Sequence, residues 1–232
     1  MRTAASALQA VLFDLDGLLV DSEPLWFEAE GAVAARLGGS PWTGGDQQAL
    51  LGGTLERTVR YLLDRGSVDA DPAEVARWLV DSMAGLITDR GLALLPGAGE
   101  LHAELATAGI PVALVSSSKP EVVTAALDAT GLRFDVVITG ADVANGKPHP
   151  DPYLQAAAAL AADPARCVAL EDSATGVASA RAAGCSVVYV PGPGQARNPA
   201  GGCDLVVSSL KEVDLSVLRS LIAQRQMSQT SR

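Results

Sequence analysis

Short, uninterrupted apolar runs recur along the chain and alternate with segments of helical spacing. Residues 10–13 and 112–115 are entirely apolar, and each run is followed by a polar residue. Uninterrupted apolar runs of this length are typical of strands buried on both faces of a parallel sheet. The pattern predicts strands at 10–13, 112–115, 136–138, 168–170 and 187–190, and a last short strand at 205–207.

Residues 22–90 show helical periodicity and contain no convincing strand. Trp26, Ala29, Val33 and Leu37 fall at helical spacing, which indicates an amphipathic helix. We therefore predict an α/β fold: a Rossmann-like parallel sheet covered by helices on both faces, with a small α-helical domain inserted after the first strand. The predicted domains are an α/β core, 1–20 and 92–232, and a helical insert, 21–91. The polar residues 224–232 predict a frayed end.

Composition narrows the possible functions. The chain has 232 residues, 48% of them hydrophobic, and a formal net charge of −10. A sizeable core is therefore available, and the acidic balance argues against nucleic-acid binding. No apolar run approaches the roughly 18 residues that a membrane span needs. The three cysteines are widely spaced, which favours reduced thiols in a cytoplasmic protein over a disulfide framework.

Polar side chains follow several of the predicted strands. Because the carboxyl ends of parallel strands meet at one edge of a sheet, we expect these side chains to lie close together. The residues concerned are Asp14 and Asp16 after the first strand, Ser116 after the second, Lys147 after the third, and Glu171 and Asp172 after the fourth.

The expected cluster of carboxylates calls for a cation. Two like charges about 4 Å apart repel by about 4 kcal/mol at an effective dielectric constant of about 20. Several such pairs would rival a folding stability of about 5–15 kcal/mol. The available ligands are hard oxygens, which favours Mg²⁺ over Zn²⁺, and protein-bound Mg²⁺ usually completes its shell with water and a substrate phosphate. Lys147 and the Ser116 hydroxyl would then hold phosphate oxygens.

Each of these features alone has a plainer interpretation. An Asp-x-Asp pair after an apolar run is often only a turn, and the serines at 116–118 could cap the next helix. Glu171 and Asp172 could simply favour a helix N-terminus. Four features in chain order make the joint interpretation stronger than any one of them.

The motifs resemble those of the haloacid dehalogenase superfamily of phosphotransferases. They are Phe-Asp-Leu-Asp-Gly at 13–17, Val-Ser-Ser-Ser at 115–118, Gly-Lys-Pro at 146–148 and Glu-Asp-Ser at 171–173. The resemblance covers almost the whole chain. Residues 16–26 are most similar to the sugar-phosphate phosphatases of the β-phosphoglucomutase-like branch.

The resemblance implies a role for each motif. Asp14 would attack phosphorus and form an aspartyl-phosphate, and Asp16 would protonate the leaving alcohol and then activate water. The Mg²⁺ ligands would be Asp14, the backbone carbonyl of Asp16, and Asp172, with Glu171 joining or supporting the metal shell; the phosphate would be held by Ser116, Ser117 and Lys147.

The helical insert would act as a cap that selects the substrate. The selecting residues would be Glu23, Trp26, Gly53 and Arg57, although Trp26 also suits a core position in the insert. The basic residue that the mutase uses to hold a second phosphate falls on Leu55 here, which favours hydrolysis.

We therefore expect a Mg²⁺-dependent phosphatase acting on a small phosphorylated metabolite, most simply a sugar or polyol phosphate. The alternatives are a phosphosugar mutase and a non-catalytic protein that binds a phosphometabolite. We expect no nucleic-acid or membrane partner, and a monomer or weak homodimer.

Overall fold

A parallel sheet forms the centre of the larger of two compact units. The computed structural model describes residues 8–50, 53–192 and 202–230. Within these residues, six strands form one sheet in the order β3-β2-β1-β4-β5-β6, and every neighbouring pair is parallel. This confirms the predicted sheet. The strands are β1 Ala10–Phe13, β2 Val112–Val115, β3 Val136–Ile138, β4 Cys167–Glu171, β5 Ser186–Tyr189 and β6 Leu205–Val206.

Helices connect the strands and form the insert. They are α1 Glu23–Arg36, α2 Gly44–Leu50, α3 Leu55–Arg65, α4 Pro72–Arg90, α5 Ala98–Thr107, α6 Pro120–Thr130, α7 Asp151–Ala159, α8 Ala174–Ala182 and α9 Leu215–Thr230. Side-chain caps start several of them. The Asp71 carboxylate accepts a hydrogen bond from Ala73 N at 2.8 Å before α4, and the Ser173 hydroxyl accepts one from Gly176 N at 3.0 Å before α8. Such caps satisfy amide groups that have no partner within the helix.

The core of the sheet unit is built from alternate strand residues. Leu12, Ala113 and Ala169 pack on one face against a cluster that includes Tyr153 of α7 and Val177 of α8. Successive strand residues point to opposite faces. All four residues of β1 are nevertheless buried, as the prediction of helices on both faces requires.

The C-terminal end differs from the prediction. Helix α9 continues to Thr230, so the expected fraying from residue 224 is wrong as far as that residue; residues 231 and 232 lie outside the described part. Leu218 and Ile222 are fully buried and anchor the first half of the helix. The polar residues that follow include good helix formers such as Gln224 and Arg225, which allow the helix to continue.

The chain leaves the sheet unit after Val20 and returns at Leu94, and these two residues pair as an isolated antiparallel bridge. Residues 21–93 form a second compact unit, together with residues 118–131 that contain α6. The sequence-based prediction placed α6 in the α/β core domain, whereas its contacts group it with the helical insert. The predicted domain boundaries, as units that fold independently, stay a prediction.

The helical unit has its own core and its own buried polar group. Leu62 and Leu79 lie in one apolar cluster, and Met83 and Ile87 in another. Asp46 is buried, and its carboxylate accepts hydrogen bonds from Thr43 N at 2.8 Å, Thr43 Oγ1 at 2.6 Å and Tyr61 Oη at 2.8 Å. It also forms an ion pair with Arg65 at 3.0 Å. A buried carboxylate with this many partners stabilises the local fold.

Glu30 is the exception in this unit. Glu30 is 6% exposed, and its Oε2 and the Trp42 indole Nε1 make no hydrogen bond of ordinary geometry with the described residues. Burial, with a further contribution from the Glu23 charge, raises the pKa of Glu30 to about 7. Its folded pKa therefore exceeds its unfolded value, so the stability it contributes is complete in acid and is lost as pH rises towards 7.

This raised pKa makes the effect of Glu30→Gln depend on pH. As the pH rises from about 5 to about 8.5, the free energy of unfolding of the variant is expected to increase by about 1–2 kcal/mol relative to that of the unmodified protein. Urea unfolding of both proteins at the two pH values measures this gain. Glu28→Gln, on an exposed position of the same helix, is the control. A gain shared by both variants would assign the effect to the overall charge of the protein instead.

No helix within the described residues is long and apolar enough to cross a membrane. Cys167 and Cys185 are buried free thiols, and Cys203 is a half-buried one, in line with the reduced cysteines expected.

Candidate active site

The candidate site lies at the carboxyl ends of β1 and β4. Strand β1 is paired with β2 on one side and with β4 on the other, so the strand order reverses there. Open α/β sheets bind ligands at such a point. Asp14 directly follows β1, and its backbone amide donates to Leu170 O at 3.1 Å. Glu171 ends β4, which places two predicted carboxylates on adjacent strands.

Lys147 joins these carboxylates. Its ammonium group is buried and donates to Asp14 Oδ1 at 2.6 Å, to Glu171 Oε1 at 2.6 Å and to the Val115 carbonyl at 2.9 Å. Burial alone would lower the pKa of Lys147, but the charges of Asp14 and Glu171 outweigh it and raise that pKa above its ordinary value. A lysine ammonium has three N–H donors, and each has an acceptor within the described residues.

Three carboxylates crowd together around this lysine. Asp14, Glu171 and Asp172 each offer an oxygen, and these oxygens lie within 4.8 Å of one another. Burial, opposed by Lys147 and reinforced by Glu171, raises the pKa of Asp14 to about 8. Burial and the charges of Asp14 and Glu171 raise the pKa of Asp172 well above its ordinary value. The cluster therefore has more negative charge than Lys147 balances.

This donor set fits a hard divalent cation. Carboxylate oxygens are the ligands that Mg²⁺ prefers, and an added positive charge would relieve the repulsion that raises these pKa values. Asp172 is only half-buried. A Cβ atom on Gly17, whose φ is +79°, would lie 2.3 Å from Asp172 Oδ2. Glycine at this position therefore lets the carboxylate approach the chain that follows β1.

Asp16 and the serines lie at the same edge of the sheet. The charge of Asp16 contributes to the raised pKa values of Asp14 and Asp172, which places it beside the cluster, although its side chain is not one of the three clustered carboxylates. Ser116 is buried, and its backbone amide donates to Ile138 O at 2.9 Å. Ser117 is exposed. Their roles towards phosphate stay predictions.

The sequence analysis did not identify Tyr153. This tyrosine is fully buried, and its hydroxyl donates a short hydrogen bond to Glu171 Oε1. Ser173 Oγ donates to the other oxygen of Glu171 at 3.2 Å. Helical periodicity alone does not distinguish Tyr153 from an ordinary core aromatic residue, because the apolar residues Ala156 and Ala157 share its face of α7.

The residues predicted to select substrate lie in the helical unit. Glu23 begins α1, and its carboxylate accepts from Gln47 Nε2 at 3.2 Å. Trp26 is half-buried and packs against the apolar cluster that contains Met83. Arg57 is exposed and donates to Ala49 O at 2.6 Å. The exposed Gly53 comes just before α3, while Gly52 lies outside the described residues. Substrate selection by these side chains stays a prediction.

The fold and this site define a class of α/β enzymes that carry acidic residues at the carboxyl ends of parallel strands. Comparison with protein families identifies the member of that class. The family model described as haloacid dehalogenase-like hydrolase matches residues 11–190, a span that contains all four motifs and the insert.

Individual relatives agree with this match. Hexitol phosphatase B of Escherichia coli (strain K12) is 34% identical over 207 residues, which cover 88% of this chain and 93% of that protein. Phosphoglycolate phosphatase of the same organism is 34% identical over 202 residues, 78% of this chain and 80% of that protein.

Solved structures show the same relationship. A crystal structure of CbbY from Rhodobacter sphaeroides in complex with xylulose-(1,5)bisphosphate superposes with a TM-score of 0.83 at 31% identity. The match covers 91% of this chain and 99% of that one. The chain belongs to the haloacid dehalogenase-like hydrolase family and is a phosphoric monoester hydrolase, as its motifs indicated.

Proposed function

We propose that the protein is a Mg²⁺-dependent phosphatase that hydrolyses a sugar or polyol phosphate through an aspartyl-phosphate on Asp14. The observation that carries the proposal is the contact of the buried Asp14 carboxylate with Lys147, 2.6 Å away, beside Glu171 and Asp172. Asp14 is thereby fixed in one position, next to oxygens suited to a cation. A nucleophile fixed in this way loses little freedom when it reacts.

In the first step, Asp14 attacks phosphorus. A bond forms between its carboxylate oxygen and phosphorus as the bond from phosphorus to the leaving alcohol oxygen breaks, and Asp16 donates a proton to that oxygen. In the second step, Asp16 takes a proton from water, and the water oxygen bonds to phosphorus as the bond from phosphorus to the Asp14 oxygen breaks. Inorganic phosphate is released and the Asp14 carboxylate is restored. General acid–base catalysis of this kind contributes about 10²–10⁴-fold.

The remaining residues balance charge. Asp14, the carbonyl of Asp16 and Asp172 would hold Mg²⁺, with Glu171 beside them. A bound Mg²⁺ would supply positive charge close to the negative charge of the transferred phosphoryl group. Ser116, Ser117 and Lys147 would hold phosphate oxygens. To hold a phosphate oxygen, Lys147 must share one of its three N–H donors or withdraw it from a present acceptor. Asp14 is the acceptor concerned, because phosphorylation changes its carboxylate.

The substrate class rests on the relatives and on one sequence feature. Relatives of similar length are named hexitol phosphatase and phosphoglycolate phosphatase, and CbbY was crystallised with a sugar bisphosphate. Leu55 occupies the position where the mutase has a basic residue for a second phosphate, which supports hydrolysis of a monophosphate. Among the predicted selectors, Glu23 and Arg57 would suit substrate hydroxyl groups.

Phosphate release from a panel of compounds tests this proposal. The panel contains hexitol, glycerol, hexose and pentulose phosphates, phosphoglycolate and a nucleoside monophosphate. We expect release in Mg²⁺, loss of release in excess chelator, its return when Mg²⁺ is restored, and a hexitol or sugar phosphate as the preferred substrate. Isomerised product without phosphate release would instead indicate a mutase. Binding without any turnover by folded, Mg²⁺-loaded protein would indicate a non-catalytic binding protein.

A further inference from the structure

Glu171 is held at both carboxylate oxygens. Its Oε1 accepts hydrogen bonds from Lys147 Nζ and from the Tyr153 hydroxyl, and its Oε2 accepts from Ser173 Oγ. The backbone of α8 closes the remaining side, since a Cβ atom on Gly176 would lie 1.9 Å from Oε2. A fully buried carboxylate needs such donors, and losing one leaves the charge less well satisfied.

Tyr153 provides a donor that packing alone does not require. Its ring lies in the apolar cluster with Ala156 and Ala157 of the same helix, where a phenylalanine ring would fill the same space. The ring centre is 5.2 Å from Lys147 Nζ. The hydroxyl reaches the same Glu171 oxygen that accepts from Lys147. The direction of the Tyr153 hydroxyl is therefore explained by its hydrogen bond to Glu171 and not by packing in the apolar cluster.

The position of Lys147 depends in turn on Glu171. Two acceptors besides Asp14 fix its ammonium group: the Val115 carbonyl at 2.9 Å and Glu171 Oε1 at 2.6 Å. The Val115 carbonyl belongs to a strand and is rigid, whereas the Glu171 carboxylate is the end of a side chain. If that carboxylate rotates, the ammonium group follows it away from Asp14.

We propose that Tyr153 is a positioning residue: by fixing Glu171, it keeps Lys147 on Asp14. The inference rests on the proposed function only in taking Asp14 as the nucleophile. Tyr153 itself touches no reacting atom in this scheme. Its effect passes through three charge-assisted hydrogen bonds, Tyr153 to Glu171, Lys147 to Glu171 and Lys147 to Asp14, which are the strong and directional kind.

Tyr153→Phe removes the hydroxyl and keeps the ring. We expect kcat to fall about 10–100-fold, the usual effect of losing a group that orients an active-site ligand. KM is expected to change less than about threefold, because Ser116 and Ser117 would still hold the phosphate while the Asp14 carboxylate loses the contact that fixes it. Steady-state kinetics on the preferred substrate of the panel gives both values. A core defect alone would lower the melting temperature without this division between kcat and KM.

Tyr61→Phe is the matched control. It removes a tyrosine hydroxyl that also donates to a buried carboxylate, that of Asp46, in the helical unit. We expect it to lower the melting temperature while kcat stays within about twofold. Equal losses of kcat in the two variants would assign the effect to general loosening and would overturn the inference.

A double-mutant cycle with Glu171→Gln tests the route of the effect. If Tyr153 acts through Glu171, adding Tyr153→Phe to Glu171→Gln should lower kcat less than about threefold further. Fully additive losses would show that Tyr153 acts by another route.

A crystal structure of Tyr153→Phe tests the positioning without relying on turnover. We expect Lys147 Nζ to lie beyond about 3.5 Å from Asp14 Oδ1, outside hydrogen-bond distance. An unmoved Lys147 would overturn the inference and leave the proposed function intact. Unmodified protein that releases no phosphate would overturn the proposed function, while the displacement of Lys147 would still decide the positioning.

Discussion

Asp14→Asn is expected to abolish phosphate release and leave the protein folded. An amide of the same shape is a far weaker nucleophile than a carboxylate, so the first step of the proposed mechanism is lost. Removing a catalytic nucleophile typically lowers turnover by about 10³-fold or more. The fold should survive, because the burial and the neighbouring Glu171 charge that raise the pKa of Asp14 already disfavour a charge at this position. Phosphate release and circular dichroism measure the two effects.

Asp135→Asn makes the same chemical change at the other end of the sheet. The Asp135 carboxylate accepts from Val112 N at 2.9 Å, at the amino end of β2. We expect its kcat to stay within about twofold of the unmodified protein. If Asp14→Asn retained more than about a tenth of the activity, Asp14 would not be the nucleophile and the aspartyl-phosphate scheme would be wrong.

Much of the fold could be predicted from local sequence pattern. A strand buried on both faces is a short uninterrupted apolar run, and Val11 and Leu12 show it directly. The C-terminal extent of helix α9 was harder to predict, because the second half of the helix is polar and the buried Leu218 and Ile222 anchor the first half. The grouping of α6 with the insert depends on contacts between segments distant in sequence, since Val122 of α6 lies in the same apolar cluster as Met83 of α4. No local pattern encodes such contacts.

The candidate site likewise has features that the sequence predicts and features that it does not. Strand ends bring Asp14, Glu171 and Asp172 together, so topology alone predicted their convergence. The acceptors of Lys147 were not predicted, because a loop lysine can point in many directions. Tyr153 was missed because the sequence does not show whether a buried tyrosine only fills the core with its ring or also binds a partner through its hydroxyl. What decides its role is which atom the hydroxyl reaches, and that is a property of the packed structure.

The three contacts of Lys147 also make it important for stability. Lys147→Met keeps most of the side-chain volume but leaves Asp14 and Glu171 buried without their shared cation. Removing one partner of a buried ion pair typically costs about 3–5 kcal/mol. For a chain of this size that corresponds to a fall in melting temperature of about 10 °C. Thermal unfolding without metal measures it, and Lys211→Met at an exposed position is the control, with an expected change below about 2 °C.

The pH dependence of this loss separates charge from packing. The Lys147 charge lowers the pKa of Asp14, which burial and Glu171 otherwise raise. Without Lys147 that pKa rises further, so Asp14 stays protonated and neutral up to a higher pH than in the unmodified protein. The stability that Lys147→Met loses relative to the unmodified protein should therefore be larger near about pH 9 than near about pH 6. An equal loss at both pH values would mean that the lysine stabilises the site through its methylene groups, and the charge cluster would then have another source of compensation.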